Sequence, residues 1–287
     1  MTEARFYTAL GEGVQCRLCP HRCRIREGGR GICRSRECRG GRLYALSYGK
    51  PCAVAIDPVE KKPLNDFLPG SFCLSLSCTG CNLSCRWCQN SDISQAAPEQ
   101  AEAYDLSPEA VVDLCLQRGL PALAYTYTEP FTWWEYMHDI AVLASEKGLK
   151  NILVSAGFVE QEPLRTLLPS LDAANIDIKS MDEDFYKEYC GASLAPVLEN
   201  ILLMKEAGVH VELTNLLVTG LNDSPEQVAR LCGWMGENGL QDVPLHFSRY
   251  FPRYRMLAPC PTPRATLLRA REIACSHGLR KVYLGNI

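Results

Sequence analysis

No segment of this 287-residue sequence approaches the roughly 18 consecutive apolar residues of a membrane-spanning helix. Met1 to Arg5 are not followed by the apolar stretch of a secretory signal, so we expect a cytoplasmic protein with no membrane partner. Internal repeats and low-complexity segments are also lacking. Hydrophobic residues make up 47% of the chain and charged residues 22%, which allows one large core and excludes a disordered chain or a disulfide miniprotein.

Cysteine is the unusually abundant residue, with 16 in the chain. Reducing cytoplasmic conditions disfavour structural disulfides, and spacings such as Cys85-x2-Cys88 are too tight for most disulfide frameworks. Metal binding is therefore the leading interpretation. Residues 1–42 are also basic, with ten Arg against four Glu. We interpret this surface as solvated, although an acidic partner or nucleic acid stays open as an alternative.

Short apolar runs alternate with amphipathic stretches in the larger part of the chain, which is typical of repeated βα units. Ser107 and Ser224, each followed by Pro and Glu, predict two helix starts. Right-handed crossovers would curl the parallel sheet into a barrel. We therefore predict an α/β fold: a partial (β/α)6 TIM-like barrel over residues 67–287 and a small Cys-rich module over residues 1–66. The six predicted strands are Ser71–Ser77, Leu123–Tyr127, Asn151–Ser155, Ala174–Ile178, Val211–Val218 and Val243–Phe247.

Three cysteines follow the first predicted strand on one short loop. The spacing Cys81-x3-Cys85-x2-Cys88 allows them to hold three irons of a [4Fe-4S] cluster and leaves the fourth iron open for a substrate or cofactor. The alternative is a zinc site in which Cys78 supplies the fourth thiolate. The position after the first strand of a βα chain favours the iron–sulfur cluster.

With Trp87 before its last cysteine, this loop resembles the C-x3-C-x-aromatic-C motif of the radical S-adenosylmethionine (SAM) superfamily. Further segments resemble the radical SAM enzyme of the AmmeMemoRadiSam system, a relative of pyruvate formate-lyase activating enzyme; they are Lys61–Leu64, Phe67–Ser71, Tyr125–Pro130 and Tyr283–Asn286. The resemblance implies an oxidoreductase in which a [4Fe-4S] cluster cleaves SAM reductively. The resulting 5′-deoxyadenosyl radical would abstract hydrogen from an organic substrate.

The same resemblance implies cofactor contacts at the ends of the second and third strands. Thr128 and Glu129 lie where the superfamily has Gly-Gly-Glu-Pro, the element that accepts hydrogen bonds from the SAM amino group. Ser155 ends the third strand, where a small polar residue lies near the cofactor. Trp87, on the cysteine loop, is also expected to contact the cofactor. The alternative for Glu129 is an exposed acid beside a turn.

Charged residues end the fourth strand, and a histidine falls at the end of the sixth. Asp177 and Lys179 resemble the D-hydrophobic-K motif of the glycyl-radical-enzyme activases, in which Lys179 would meet the SAM carboxylate and Asp177 would orient the substrate or bind a cation. His246 matches an activase histidine near the cofactor. The alternatives are an internal salt bridge for the charged pair and simple packing for His246.

A second group of cysteines near the N-terminus, Cys16-x2-Cys19-Pro-x2-Cys23-x9-Cys33, supplies four thiolates for a closed metal site. Zinc and a second [4Fe-4S] cluster both accept four thiolates, and the Cys-Pro pair favours iron. Cys38 is an alternative to Cys33, and a module of reactive thiols without metal also stays open. We expect the isolated cysteines to be packing residues; they are Cys52, Cys73, Cys115, Cys190, Cys232, Cys260 and Cys275.

The resemblance to activases favours a polypeptide target such as a glycine. RNA or a phosphorylated small molecule is the alternative, because Arg249, Arg253 and Arg255 alternate with aromatic residues after the sixth strand. Implied partners are SAM, an electron donor such as flavodoxin or ferredoxin, and Memo-like or AMMECR1-like proteins. A non-catalytic zinc-binding interaction protein is the alternative from a different functional class.

Overall fold

A computed structural model describes residues 1–287. Its strands, in chain order, are β1 (Thr2–Glu3), β2 (Tyr7–Leu10), β3 (Gly13–Cys16), β4 (Arg24–Ile25), β5 (Arg36–Arg39), β6 (Arg42–Ala45), β7 (Ala53–Pro58), β8 (Phe72–Ser77), β9 (Ala122–Tyr125), β10 (Lys150–Ser155), β11 (Ala173–Asp177), β12 (His210–Leu217), β13 (Leu245–Arg249) and β14 (Val282–Gly285).

The helices pack around these strands. In chain order they are α1 (Ser91–Ser94), α2 (Pro108–Gln117), α3 (Trp134–Glu146), α4 (Gln161–Leu167), α5 (Glu183–Phe185), α6 (Ala195–Glu206), α7 (Pro225–Glu237) and α8 (Arg264–Ser276). Short 3-10 turns cover Val59–Lys61, Pro98–Gln100, Pro130–Trp133 and Leu168–Ser170, and one π-helical turn covers Tyr186–Cys190. None of the helices combines the length and the apolar character needed to cross a membrane.

The large sheet contains β7 to β14 side by side in chain order. Strands β8 to β14 are parallel, and β7 pairs antiparallel with β8 at one edge. The edge strands β7 and β14 do not pair, so the sheet forms an open barrel. The predicted α/β fold is confirmed, and all six predicted strands are present. β14 is a seventh parallel strand; its apolar run, Val282 to Leu284, is shorter than those that marked the other strands.

Helices cover the outer face of this sheet, so the central strands are buried on both sides. All four residues of β9 are buried, as are five of the six residues of β8. The two predicted helix starts are confirmed, because Ser107 Oγ accepts from the amide of Ala110 at 3.2 Å and Ser224 Oγ accepts from the amide of Gln227 at 3.3 Å. The helical connections between successive parallel strands place the carboxyl ends of those strands at one edge of the sheet.

The N-terminal module has two small antiparallel sheets of its own, in the orders β1-β6-β5 and β2-β3-β4. Strand β7 belongs instead to the large sheet, where Ala53 to Pro58 pair with Ser77 to Phe72. The predicted boundary between residues 66 and 67 therefore falls beyond a strand that is already part of the large sheet.

The segment Lys62–Asp66 crosses the amino-terminal end of the open barrel. Pro63 O accepts from Asn175 Nδ2 at 2.7 Å, and the amides of Asn65 and Asp66 donate to Glu212 at 3.0 and 2.8 Å. Asp66 also accepts from the hydroxyl of Tyr283 on β14. These bonds tie β11, β12 and β14 together and close that end of the sheet.

Candidate functional site

A cavity of about 330 Å³ lies at the carboxyl ends of the parallel strands. Nearly all the predicted barrel-site residues line it, although they are far apart in sequence; they are Cys81, Cys85, Trp87, Cys88, Thr128, Glu129, Ser155, Asp177 and Lys179. Strands β8 to β11 deliver them to one edge because each side chain follows or ends a strand. The cavity brings together thiols, two carboxylates and a cationic amine.

The cysteine loop begins at Gly80, which approaches the N-terminal module closely. A Cβ at this position would lie 2.1 Å from Ser35 Oγ and 2.4 Å from Cys33 O, and the backbone has φ +94°. Only glycine permits this packing. Beyond it, Cys81 Sγ accepts from the amide of Leu83 at 3.3 Å, and Cys88 Sγ lies 3.2 Å from Ser94 Oγ. The loop is therefore fixed at both ends.

Cys85 is held against a fourth cysteine, Cys190. The amide of Ser84 donates to Cys190 O at 2.8 Å, and the amide of Arg86 donates to Tyr189 O at 3.1 Å. A hydrogen bond from the Cys190 thiol, with help from the nearby ammonium of Lys179, lowers the pKa of Cys85. Cys190 is buried, as expected, but it also lies beside a predicted cluster ligand. No sequence spacing connects it with Cys85, so only the structure could have found it.

Glu129 is 1% exposed, and its carboxylate faces neighbours from the next strand. Oε1 accepts from Ser155 Oγ at 2.7 Å, and Oε2 accepts from the amide of Ala156 at 2.9 Å. Burial raises the pKa of Glu129, and these hydrogen bonds oppose the shift. Ser155 thus orients Glu129, and the remaining lone pairs of the carboxylate are suited to an ammonium group.

Asp177 and Lys179 form an ion pair inside the cavity, with Lys179 Nζ 2.7 Å from Asp177 Oδ2. Burial favours the neutral amine, but attraction to Asp177 and Cys85 raises the pKa of Lys179 above its usual value. The internal salt bridge considered as an alternative is therefore present, and it lies among the cavity residues. Lys179 is a cation that can turn toward an incoming carboxylate.

Tyr127 and Thr128 replace the two glycines of the superfamily pattern. Tyr127 has φ +70°, a left-handed conformation that favours glycine. Asn90 Nδ2 donates to its carbonyl at 2.8 Å, its hydroxyl bonds Asp57, and the ammonium of Lys62 lies 4.7 Å from its ring centroid. Thr128 Oγ1 donates to the Cys78 carbonyl at 2.6 Å. These contacts hold the glycine-like backbone.

His246 does not line the cavity. It was expected at the end of the sixth strand, but it is the second residue of β13 and is buried toward the amino end, where Nε2 lies 2.6 Å from Glu212 Oε2 and the ring stacks on Tyr283. Burial opposes ionisation of Glu212, but hydrogen bonds with His210 and His246 lower its pKa to about 2. The contact of His246 with the cofactor stays a prediction; the contacts present belong to the closed end of the barrel.

The four predicted N-terminal cysteines, Cys16, Cys19, Cys23 and Cys33, line a second cavity of about 20 Å³. The alternative ligands of the two sites are directed elsewhere. The thiol of Cys38, the alternative to Cys33, faces Glu27, and the thiol of Cys78, the alternative fourth ligand of the Cys81–Cys88 loop, faces Ser47 O. No three His, Cys, Asp or Glu side chains in the protein converge on a position for a single ion as they stand. A cluster binds each thiolate through a different iron, so the three loop cysteines of the larger cavity fit it without such convergence.

The comparisons with known proteins agree with this geometry. The pattern of the radical SAM superfamily matches residues 76–234, more than half of the chain. An uncharacterized protein of Methanocaldococcus jannaschii is 44% identical over all of this chain and 86% of its own length. A 4-hydroxyphenylacetate decarboxylase activating enzyme of Clostridioides difficile is 26% identical, over 45% of this chain and 41% of its own length.

Two further similarities concern the activating enzymes and the fold. A pyruvate formate-lyase-activating enzyme of Clostridium pasteurianum is 25% identical over 53% of this chain and 64% of its own length. The crystal structure of Streptococcus suis SuiB bound to precursor peptide SuiA superposes with a TM-score of 0.59 and 14% identity, over 76% of this chain and 49% of that one. The chain thus spans less than two thirds of the length of the activating enzymes it matches.

Proposed function

This chain belongs to the radical SAM superfamily, and we propose that it cleaves SAM reductively at the Cys81–Cys88 loop and abstracts hydrogen from an organic substrate. The family uses a [4Fe-4S] cluster and SAM. When bound, the reduced cluster would supply the electron that splits SAM into methionine and a 5′-deoxyadenosyl radical. The observation that carries the proposal is the single cavity lined by the three loop cysteines, Glu129 and Lys179.

The cavity residues have distinct roles in this proposal. Cys81, Cys85 and Cys88 hold three irons, and no fourth cysteine lines the cavity. Glu129, oriented by Ser155, accepts the SAM ammonium, while Lys179 pairs with the SAM carboxylate. Burial of these charges strengthens both contacts, since water competes less there than at a surface. The roles of Trp87, Thr128 and Asp177 in framing the cofactor are part of the same proposal.

We infer that the hydrogen donor is a polypeptide segment. SAM would occupy much of a cavity of about 330 Å³ and leave little room for a second small molecule. A chain segment presented from outside needs to insert only its reacting residue. The names of two relatives, both activating enzymes, support this choice. RNA and phosphorylated small molecules are the competing substrates.

The loop after β13 is the proposed edge of the substrate entrance. Phe251 O accepts from Gln89 Nε2, and the amide of Arg255 donates to Arg86 O, so this loop rests on the cysteine loop. Arg249 packs over Phe251, and Arg255 packs over Tyr254. Such cation–aromatic pairs suit contact with another macromolecule. The same proposal assigns the protein to the AmmeMemoRadiSam system. Its partners there would be Memo-like or AMMECR1-like proteins, and its electron donor would be a flavodoxin or ferredoxin.

The test is an anaerobic assay of iron-reconstituted protein with SAM and dithionite, followed by mass spectrometry of 5′-deoxyadenosine. We expect 5′-deoxyadenosine with reconstituted wild type and none with Cys85→Ser. Candidate substrates are then supplied as deuterated protein, RNA and metabolite pools, and deuterium in 5′-deoxyadenosine identifies the donor class. A protein with a complete cluster that forms no 5′-deoxyadenosine contradicts the function, and label from the RNA pool alone contradicts the polypeptide target.

A further inference from the structure

The cavity in the N-terminal module has the features of a second metal site. Its four cysteines come from a span of 18 residues and meet between β3, β4 and the start of β5. Gly31 separates two of them: a Cβ at this position would lie 3.6 Å from Cys33 Sγ and 3.8 Å from Cys23 Sγ. A side chain here would fill the space between the thiols. The other lining residues are three aliphatic side chains, Gly31 and four polar or charged side chains, none of which is a carboxylate.

A buried arginine supplies an independent observation. Arg36 is 0% exposed and lines this cavity. Its Nη2 donates to both oxygens of Glu135 at 2.8 and 2.6 Å, and its Nη1 donates to Arg5 O at 3.1 Å. Its Nε has no hydrogen-bond partner. An orphaned N–H on a buried cation is costly, and a thiolate sulfur in the cavity is an acceptor of the right charge.

We propose that Cys16, Cys19, Cys23 and Cys33 bind one dicationic metal centre, either Zn²⁺ or a [4Fe-4S]²⁺ cluster, and that Arg36 Nε donates to a ligand sulfur. Four thiolates fill the protein-facing positions of either centre, so no position is left for SAM. The centre carries a net charge of about −2, which the neighbouring guanidinium stabilises in a low-dielectric environment. Binding draws the four sulfur atoms together and closes the cavity.

The residues around this site also hold the cysteine loop in place. Ser35 Oγ donates to Thr79 O at 3.0 Å, and His21 Nε2 lies 2.7 Å from Asn82 O. Gly80 packs against Cys33 O, as described above. The residues on both sides of Cys81 are therefore anchored to the metal-binding segment. Loss of the N-terminal centre is expected to loosen the first ligand of the loop without removing it.

The test uses full-length protein in which Cys81, Cys85 and Cys88 are all replaced by Ala, so that only the N-terminal site can bind metal. The variant is reconstituted separately with zinc and, anaerobically, with iron and sulfide. Bound metal is measured by mass spectrometry, and a cluster by visible absorption. We expect one zinc ion or one cluster per chain, and the arm that saturates identifies the centre. This measurement is independent of SAM cleavage, so it separates failure of this site from failure of the proposed function.

Two further variants in the same background complete the test. Cys19→Ser is expected to abolish stoichiometric binding, whereas Cys275→Ser, at an exposed cysteine outside the cavity, is expected to retain it. Arg36→Lys keeps the charge but removes Nε, and it should lose metal to a competing chelator faster than the parent. A parent that binds no metal, or a Cys19→Ser variant with full metal content, overturns the proposal. Chelation rates unchanged by Arg36→Lys overturn the role of Arg36.

Discussion

The two cysteine sites of this protein differ in room and in the number of thiols. The loop after β8 offers three cysteines at the edge of a cavity of about 330 Å³ that charged side chains also line, whereas the N-terminal segment offers four around a cavity of about 20 Å³. Three thiolates with adjacent space leave an iron available to a cofactor. Four thiolates without space make a closed centre. Ligand number and free volume together separate chemistry from structural support.

Charge follows the same division. Glu129, Asp177 and Lys179 surround the larger cavity and can re-pair with the charged groups of SAM. The smaller cavity faces one buried ion pair, Arg36–Glu135, whose partners are fully committed apart from one N–H. The charged side chains of the larger cavity can therefore change partners when a ligand binds, whereas Arg36 and Glu135 beside the smaller cavity stay paired with each other.

Replacing one ligand in each site should give the largest effect. Cys85→Ser removes a ligand of the open cluster, so we expect loss of that cluster and of 5′-deoxyadenosine formation to background. Cys19→Ser should remove the N-terminal centre and lower SAM cleavage only in part, because the loop ligands remain. Iron, zinc and 5′-deoxyadenosine are measured for both. Equal loss of activity in the two variants would erase the distinction between the sites.

Removing the carboxylate of Glu129 should act on the open site alone. A hydrogen bond between charged groups contributes about 1.5–3 kcal/mol, so Glu129→Gln should weaken SAM binding by about 10- to 100-fold. N-terminal metal content should not change. Equilibrium dialysis with labelled SAM measures the affinity, and Glu162→Gln, at an exposed position, is the control. Wild-type affinity in Glu129→Gln would refute its role.

Cys190→Ala should have a smaller effect, on the reduction potential. Cys190 lies beside Cys85 and lowers the pKa of its thiol, so its removal is expected to destabilise the more negative, reduced cluster. We therefore expect a more negative potential with the cluster content retained. Cys190→Ser should restore part of the shift, and Cys232→Ala, at a buried cysteine in α7, should leave the potential unchanged. An unchanged potential in Cys190→Ala removes Cys190 from this role.

Substitution of Glu212, at the end of the barrel that the segment Lys62–Asp66 closes, is expected to have the smallest effect on either metal site. Because the folded pKa of Glu212 is lowered from 4.5 to about 2, its stabilisation is present above pH 4.5 and is lost as the pH falls toward 2. The shift corresponds to about 3 kcal/mol. Glu212→Gln should lower the free energy of unfolding near pH 6 and have less effect near pH 3, with metal content unchanged. A pH-independent difference in urea unfolding contradicts this assignment.

The sequence alone predicted those features that depend on residues close together in the chain. The apolar runs located six strands, and the spacing of Cys81, Cys85 and Cys88 on one loop located the cavity that those strands enclose. Contacts between distant segments were not readable. The pairing of Cys85 with Cys190 depends on how the π-helical turn packs, and that of Arg36 with Glu135 on how the module docks on α3.

His246 illustrates the same limit. The depth of a side chain along the barrel depends on the stagger between strands, which no pattern in one strand records. Its partner Glu212 lies on the neighbouring strand. The edge strand β7 was missed although Ala53 to Ile56 form an apolar run, because its segment lies within the predicted Cys-rich module.

In the proposed function, the iron left open by the three-cysteine loop binds SAM. The most direct measurement is the electron paramagnetic resonance spectrum of reduced, reconstituted Cys19→Ser, in which the loop cluster is the only expected signal. We predict that adding SAM changes the spectrum and that the Glu129→Gln substitution raises the SAM concentration required. A spectrum that SAM leaves unchanged at full cluster content would contradict it.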